Sequence, residues 1–212
     1  MEIRAGGPQA GDTADRAAVS GAEPVGDRPS VWNVANLLTI LRFVLVPVFI
    51  LVLFADGGHS DAWRWAAFGV FAVAAITDQI DGRVARKYGL VTDFGKIADP
   101  IADKALIGAA LIGLSLLHIL PWWVTAIIIV REIGVTLLRF WVLRHGVIAA
   151  SRGGKLKTML QSIAIGLYLI PLPHPWEWAA HIVMAAALIV TVVTGIEYVY
   201  QALALRREAA RD

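Results

Sequence analysis

Hydrophobic positions in this chain fall into long unbroken runs, with polar residues gathered between them. A membrane-spanning helix needs about 20 mostly apolar residues, and residues 37–55 (LLTILRFVLVPVFILVLFA) predict the first, with Arg42 inside it. Residues 63–85 predict a second, apolar only as far as Asp78. Residues 105–130 carry no formal charge, but Pro121 divides them. Because proline interrupts helical hydrogen bonding, the pattern predicts a third helix over 94–119 and a fourth over 122–145. The uncharged stretches 159–176 and 178–196, separated by PLPHPWEW, predict a fifth and a sixth. The expected fold is all-α and integral to the membrane, with six transmembrane helices forming one domain over residues 33–205 and both termini on one side.

Residues 1–32 break the pattern. Only 12 of the 32 are hydrophobic, alongside five glycines, three prolines, three arginines and five acids. Such a stretch cannot bury enough surface to offset the entropy of ordering, so a flexible cytoplasmic tail is expected there. It lacks the basic-then-apolar order of a signal peptide, so no cleavage is expected. Residues 206–212 read as a basic C-terminal tail.

Composition sharpens the picture. The chain has 212 residues, of which 58% are hydrophobic and 17% charged, and its mean hydropathy is +0.65. Soluble domains carry about 25% charged residues. A lone soluble core, a disordered chain and a nucleic-acid module are therefore excluded. With no cysteine there is no disulfide framework, thiol nucleophile or cysteine metal site.

The 19 Lys and Arg nearly balance the 17 Asp and Glu, but their placement is uneven. The three turns expected to face outward (56–64, 119–122 and 171–178) hold one basic residue, Arg64, against twelve at the opposite helix ends and the C-terminal segment. Positive charge favours the cytoplasmic side, which places both termini there. Six of the eight tryptophans (Trp63, Trp65, Trp122, Trp123, Trp176 and Trp178) flank the outward turns, as their preference for the membrane interface requires.

Charge at membrane depth is costly unless it faces a protein interior or a cation. The segment 78–103 reads DQIDGRVARKYGLVTDFGKIADPIAD. Asp78 and Asp81 lie three apart, Asp99 and Asp103 four apart, so each pair shares a helix face. A short reversal around Gly89 would bring the pairs together at the cytoplasmic end of the second and third helices, lining a polar cavity that faces the cytoplasm. Four such carboxylates cannot all remain ionised without compensation. Oxygen-only ligands suit a hard cation such as Mg²⁺ or Mn²⁺, and two such ions can clamp a diphosphate. Gly82 and Gly95 would let a nucleotide approach the backbone. Ion pairing with Arg83, Arg86, Lys96 and Lys104 is the competing account, and two face-matched pairs with two glycines favour the metal.

The series Asp78-x2-Asp81-Gly82-x2-Ala85-Arg86-x8-Gly95-x3-Asp99-x3-Asp103 resembles the full signature of the CDP-alcohol phosphatidyltransferases, with all eight fixed positions matched. The resemblance implies a six-helix integral membrane enzyme, usually a homodimer among membrane lipids, that displaces CMP from a CDP-linked lipid with an alcohol. It implies that Asp78, Asp81, Asp99 and Asp103 hold the metals and that Asp103 is also the general base. It further implies that Gly82, Ala85, Arg86 and Gly95, with Asp78, line the CDP site. The physics is compatible: a carboxylate near metals suits removal of a hydroxyl proton, and the Arg86 fork suits a phosphate.

That signature leaves the acceptor open. Arg131 and Arg139 lie eight apart on one face of the fourth helix, with Glu132 as a partner for one of them, and the expected loop 150–158 (ASRGGKLKT) sets Arg152, Lys155 and Lys157 around two glycines. Cations and backbone N–H groups arranged so suit an anionic phosphate, while a topology signal is the competing account for Arg152. Asn36-Leu37-Leu38-Thr39-x2-Arg42, Arg131-Glu132-Ile133 and Gly154-Lys155-x-Lys157-Thr158 resemble the phosphatidylglycerophosphate synthases, so that likeness covers roughly residues 33–170. It implies transfer from CDP-diacylglycerol to sn-glycerol 3-phosphate, with Arg131, Arg139, Lys155 and Lys157 on the acceptor phosphate. Inositol phosphate and phosphatidylglycerol are the alternative acceptors. A prenyltransferase would need Asp motifs in distant halves of a longer bundle, and a divalent-cation transporter would need a second copy of its intramembrane acids.

Overall fold

A computed structural model describes the backbone of residues 34–88, 93–142 and 152–209, with side chains at 37–78, 80, 101–138 and 153–204. It contains six α-helices and, among the described residues, no strand: α1 Val34–Leu53, α2 Asp61–Tyr88, α3 Asp93–Leu116, α4 Trp122–Val142, α5 Arg152–Leu169 and α6 Glu177–Ala209, with a 3₁₀ turn at Ala55–Gly58 between α1 and α2. The segment 1–32 and the reversal at 89–92 lie outside the described residues.

Helices α1 to α4 follow the hydropathy runs to within a few residues. Helix α5 does not. It begins at Arg152 and ends at Leu169, seven residues earlier at each end than expected. Pro171, Pro173 and Pro175 explain the early end: each lacks a backbone donor and disfavours helical geometry at the residue before it. The early start corrects the expected loop, because Lys155, Lys157 and both glycines lie in the first turns of α5. Glycine weakens a helix by only about 1 kcal/mol, which the packing of α5 along α6 overcomes. Helix α6 runs 33 residues to Ala209, thirteen beyond its expected end at 196.

α1 packs along α2 and α3, α5 along α6, and α4 against α6 and α3. Phe49 and Leu53 of α1, Phe71 of α2, Leu111 and Leu114 of α3, Ile128 of α4, Ile165 and Leu169 of α5 and Met184 of α6 meet in one buried core. α1 meets α3 at Gly113, where a β-carbon would stand 2.5 Å from Leu53 Cδ2.

Around this core the outward faces are apolar: Leu51, Val130, Ile182 and Ile189 are each more than 60% exposed. Large apolar side chains exposed on this scale are a liability in water and are expected against lipid. Among the described residues, Glu177–Ala204 of α6 is long and apolar enough to cross a membrane, while the apolar part of α1, Leu37–Leu53, is shorter.

The three turns expected to face outward gather at one end of the bundle. Gly58 abuts Leu117, and all six of the flanking tryptophans are exposed. Arg64, the basic residue out of place in the charge pattern, donates from Nη2 to the carbonyls of Tyr168 at 2.9 Å and Ile170 at 3.4 Å. The last carbonyls of a helix lack intrahelical donors, and a cation suits the negative end of the helix dipole. Arg64 thus closes α5 from α2.

Candidate active site

Toward the other end of the bundle the helices part around a cavity of about 570 Å³. Its walls come from five helices: Asp78 of α2, Asp103 and Lys104 of α3, Arg131, Glu132 and Thr136 of α4, Lys155 and Lys157 of α5, and Tyr198 of α6. One carboxylate from each expected Asp pair therefore faces the same space. Asp81, Gly82, Ala85 and Arg86 fall within α2, and Gly95 and Asp99 within α3, but their side chains and surroundings lie outside the described residues. The same holds for the side chain of Arg139 in α4.

Asp78 has a partner that the sequence reading did not assign it. Arg42 of α1, with a side chain 0% exposed, places Nη1 2.8 Å from Asp78 Oδ1. A guanidinium so deeply buried is costly without a paired anion, so Asp78 answers for the arginine inside the first apolar run. Asp78 remains one-third exposed and lines the cavity. The signal was present as a single charge in α1, but only the fold shows which acid it meets.

The basic half of the cavity is tied together by Glu132. Its Oε1 accepts from Arg131 Nη1 at 3.0 Å and from Lys157 Nζ. The expected pairing of Glu132 with one of the helix-four arginines thus falls on Arg131, and Lys157 joins it from α5. Arg131 also donates from Nε to the Thr191 carbonyl at 3.1 Å and from Nη2 to Thr194 Oγ1 at 2.8 Å, both on α6. Lys157 is buried, whereas Lys155 is exposed at the cavity wall. Lys104 Nζ donates to Thr136 Oγ1 at 2.5 Å, and Thr136 in turn donates to the Glu132 carbonyl. The α6 residues were missed because that helix reads as a plain apolar span.

Asp78 and Asp103 offer hard oxygen donors in a cavity without cysteine, and that donor chemistry fits Mg²⁺ or Mn²⁺. Among the described residues no three acidic or histidine side chains converge, the other two expected ligands being Asp81 and Asp99. A second pocket of about 350 Å³ shares Asp103, Glu132 and Lys157 and runs between α3 and α4 past Gly108, Leu111, Ile128 and Ile133. A charged chamber with an apolar side pocket suits an amphipathic substrate.

The sequence model of the CDP-alcohol phosphatidyltransferase family matches residues 32–193. A probable phosphatidylglycerophosphate synthase of Mycobacterium tuberculosis (strain H37Rv) is 58% identical over 179 residues, covering 84% of this chain and 86% of its own. A CDP-diacylglycerol–glycerol-3-phosphate 3-phosphatidyltransferase of Bacillus subtilis (strain 168) is 38% identical, over 79% of this chain and 94% of its own. One of the same description from Escherichia coli (strain K12) is 37% identical, over 82% and 96%. The match covers α1 to α5 and the first half of α6, most of the chain, and on that ground the protein belongs to the CDP-alcohol phosphatidyltransferase family.

Proposed function

We propose that this protein transfers the phosphatidyl group of CDP-diacylglycerol to sn-glycerol 3-phosphate, forming phosphatidylglycerophosphate and releasing CMP. The single observation that carries this reading is that one cavity brings the carboxylates Asp78 and Asp103 together with the cations Arg131, Lys155 and Lys157. A donor held through metal and an acceptor held through its phosphate need both kinds of group in one space. The relatives are named for this reaction.

In this reading Asp78, Asp81, Asp99 and Asp103 hold Mg²⁺ or Mn²⁺, which when bound neutralises charge on the donor diphosphate and on the departing CMP. Gly82, Ala85, Arg86 and Gly95, with Asp78, line the CDP site. Arg131, Arg139, Lys155 and Lys157 receive the phosphate of the acceptor, with Glu132 keeping two of these cations from repelling each other. Asp103 takes the proton from the acceptor hydroxyl as its oxygen bonds to the phosphatidyl phosphorus. The bond from that phosphorus to CMP breaks, and CMP leaves with the electron pair. The apolar pocket between α3 and α4 offers the lipid chains a way out of the charged chamber.

The same reading places six spanning helices in the cytoplasmic membrane, as a homodimer, with the cavity and both termini on the cytoplasmic side. The domain would run over residues 33–205. The charge asymmetry and the exposed tryptophans support that orientation.

Reconstituted with CDP-diacylglycerol, glycerol 3-phosphate and Mg²⁺ or Mn²⁺, the full chain is expected to yield CMP and a lipid of the mass of phosphatidylglycerophosphate in equal amounts. Chelation should stop both. CMP release without that lipid would show hydrolysis and overturn the proposal.

A further inference from the structure

One face of α6 converges on a single side chain of α4. Thr191, Thr194, Gly195 and Tyr198 recur at the spacing that aligns residues along a helix, and each meets Arg131. The Thr191 carbonyl accepts from Nε at 3.1 Å, and Thr194 Oγ1 accepts from Nη2 at 2.8 Å. The Tyr198 ring centroid lies 5.9 Å from Cζ, within reach of a cation–π contact. At Gly195 a β-carbon would stand 3.1 Å from Arg131 Cγ, so the missing side chain is the space through which the arginine stem passes.

The hydroxyl of Thr194 is preset for this role. It donates its one proton back along α6 to the Val190 carbonyl at 2.7 Å, which leaves its lone pairs for the guanidinium. Thr191 gives Arg131 its backbone carbonyl, and its hydroxyl, donating to the Ala187 carbonyl at 2.6 Å and accepting from Gln161 Nε2 at 3.0 Å, ties this stretch of α6 to α5. An arginine in an apolar helix otherwise extends its stem toward the membrane surface. Here α6 holds it inside the bundle, beside the cavity. Three of its five N–H groups meet partners among the described residues.

We propose that Thr191, Thr194, Gly195 and Tyr198 of α6 form a positioning platform that fixes the Arg131 fork at the cavity and thereby sets affinity for a phosphorylated acceptor. The proposal rests on Arg131 as an acceptor-phosphate group, as read above, and extends it to a helix whose sequence shows only a hydrophobic span. Thr194 and Gly195 act through Arg131 and are positioning residues. Preorganisation is their contribution: a bidentate cation held in place loses little freedom when the phosphate arrives.

The test uses full-length protein in lipid nanodiscs with CDP-diacylglycerol and glycerol 3-phosphate, measuring KM for each substrate, kcat and melting temperature. Loss of a hydrogen bond to a charged group should make Thr194→Val raise the KM for glycerol 3-phosphate about tenfold. The KM for CDP-diacylglycerol should stay within about twofold, because the donor side is not touched. Thr194→Ser should restore the acceptor KM, and Gly195→Val should raise it by pushing the arginine stem aside. In an Arg131→Ala background Thr194→Val should add less than about twofold, since coupled residues are not additive.

An acceptor KM raised by Arg131→Ala but left unchanged by Thr194→Val and Gly195→Val would overturn the platform alone. Unchanged acceptor KM in Arg131→Ala itself would overturn the phosphate reading and the platform with it. Equal rises in both KM values, or failure of Thr194→Ser to restore the acceptor value, would show a merely structural role and also overturn the platform.

Discussion

Asp103 stands at the junction of the charged chamber and the apolar side pocket, lining both. A group that takes a proton from the acceptor while the lipid donor is in place belongs at that junction. Asp103→Asn removes the basic lone pair and the charge while keeping the volume. General-base removal costs about 10²- to 10⁴-fold in rate, so the variant is expected to lose turnover while CDP binding, followed by calorimetry, changes only a few-fold. Near-normal turnover would remove Asp103 from the role of base. Residue spacing made Asp78 with Asp81 and Asp99 with Asp103 legible as pairs, because a helical pair is a local pattern, and the short reversal expected around Gly89 set the two pairs opposite each other. It could not reveal that Arg42 answers Asp78 or that Glu132 joins Arg131 to Lys157. Arg42 with Asp78 and Lys157 with Glu132 join residues on different helices and follow from the packing.

At the scale of elements, hydropathy runs located α1 to α4 well, misplaced α5 and stopped α6 thirteen residues short. The run from 159 to 176 is uncharged, but a window of apolar residues does not register that proline denies the chain a helical continuation. In the other direction, a Gly-Gly pair among basic residues reads as a loop by local propensity, and burial of Lys157 against Glu132 overrides it. Arg64 shows the same lesson from the opposite side. By charge pattern it was an exception, and in the fold it is the partner of the carbonyls at the end of α5. Arg64→Ala is expected to lower unfolding free energy by about 1.5–3 kcal/mol, the scale of a hydrogen bond to a charged group. Thermal unfolding in detergent should report that loss while KM values stay near those of the unaltered protein. An unchanged melting temperature would show that solvent or lipid satisfies those carbonyls as well as Arg64 does.

For the molecule as a whole, polarity is sorted by end as well as by depth. Tryptophans and turns gather at one end, and the charged cavity opens toward the other. Membership in the family sets aside the cation-transporter and prenyltransferase readings, and the chemistry of the cavity then turns on the acceptor. The cationic side of Arg131, Lys155 and Lys157 favours a phosphorylated alcohol over neutral serine. The most direct measurement is CMP release by the purified full-length protein, with CDP-diacylglycerol and divalent metal held constant and the acceptor varied among glycerol 3-phosphate, inositol phosphate, phosphatidylglycerol and serine. The highest kcat/KM is expected for glycerol 3-phosphate, by at least about tenfold, corresponding to about 1.4 kcal/mol in transition-state binding. Equal kcat/KM with inositol phosphate would contradict it.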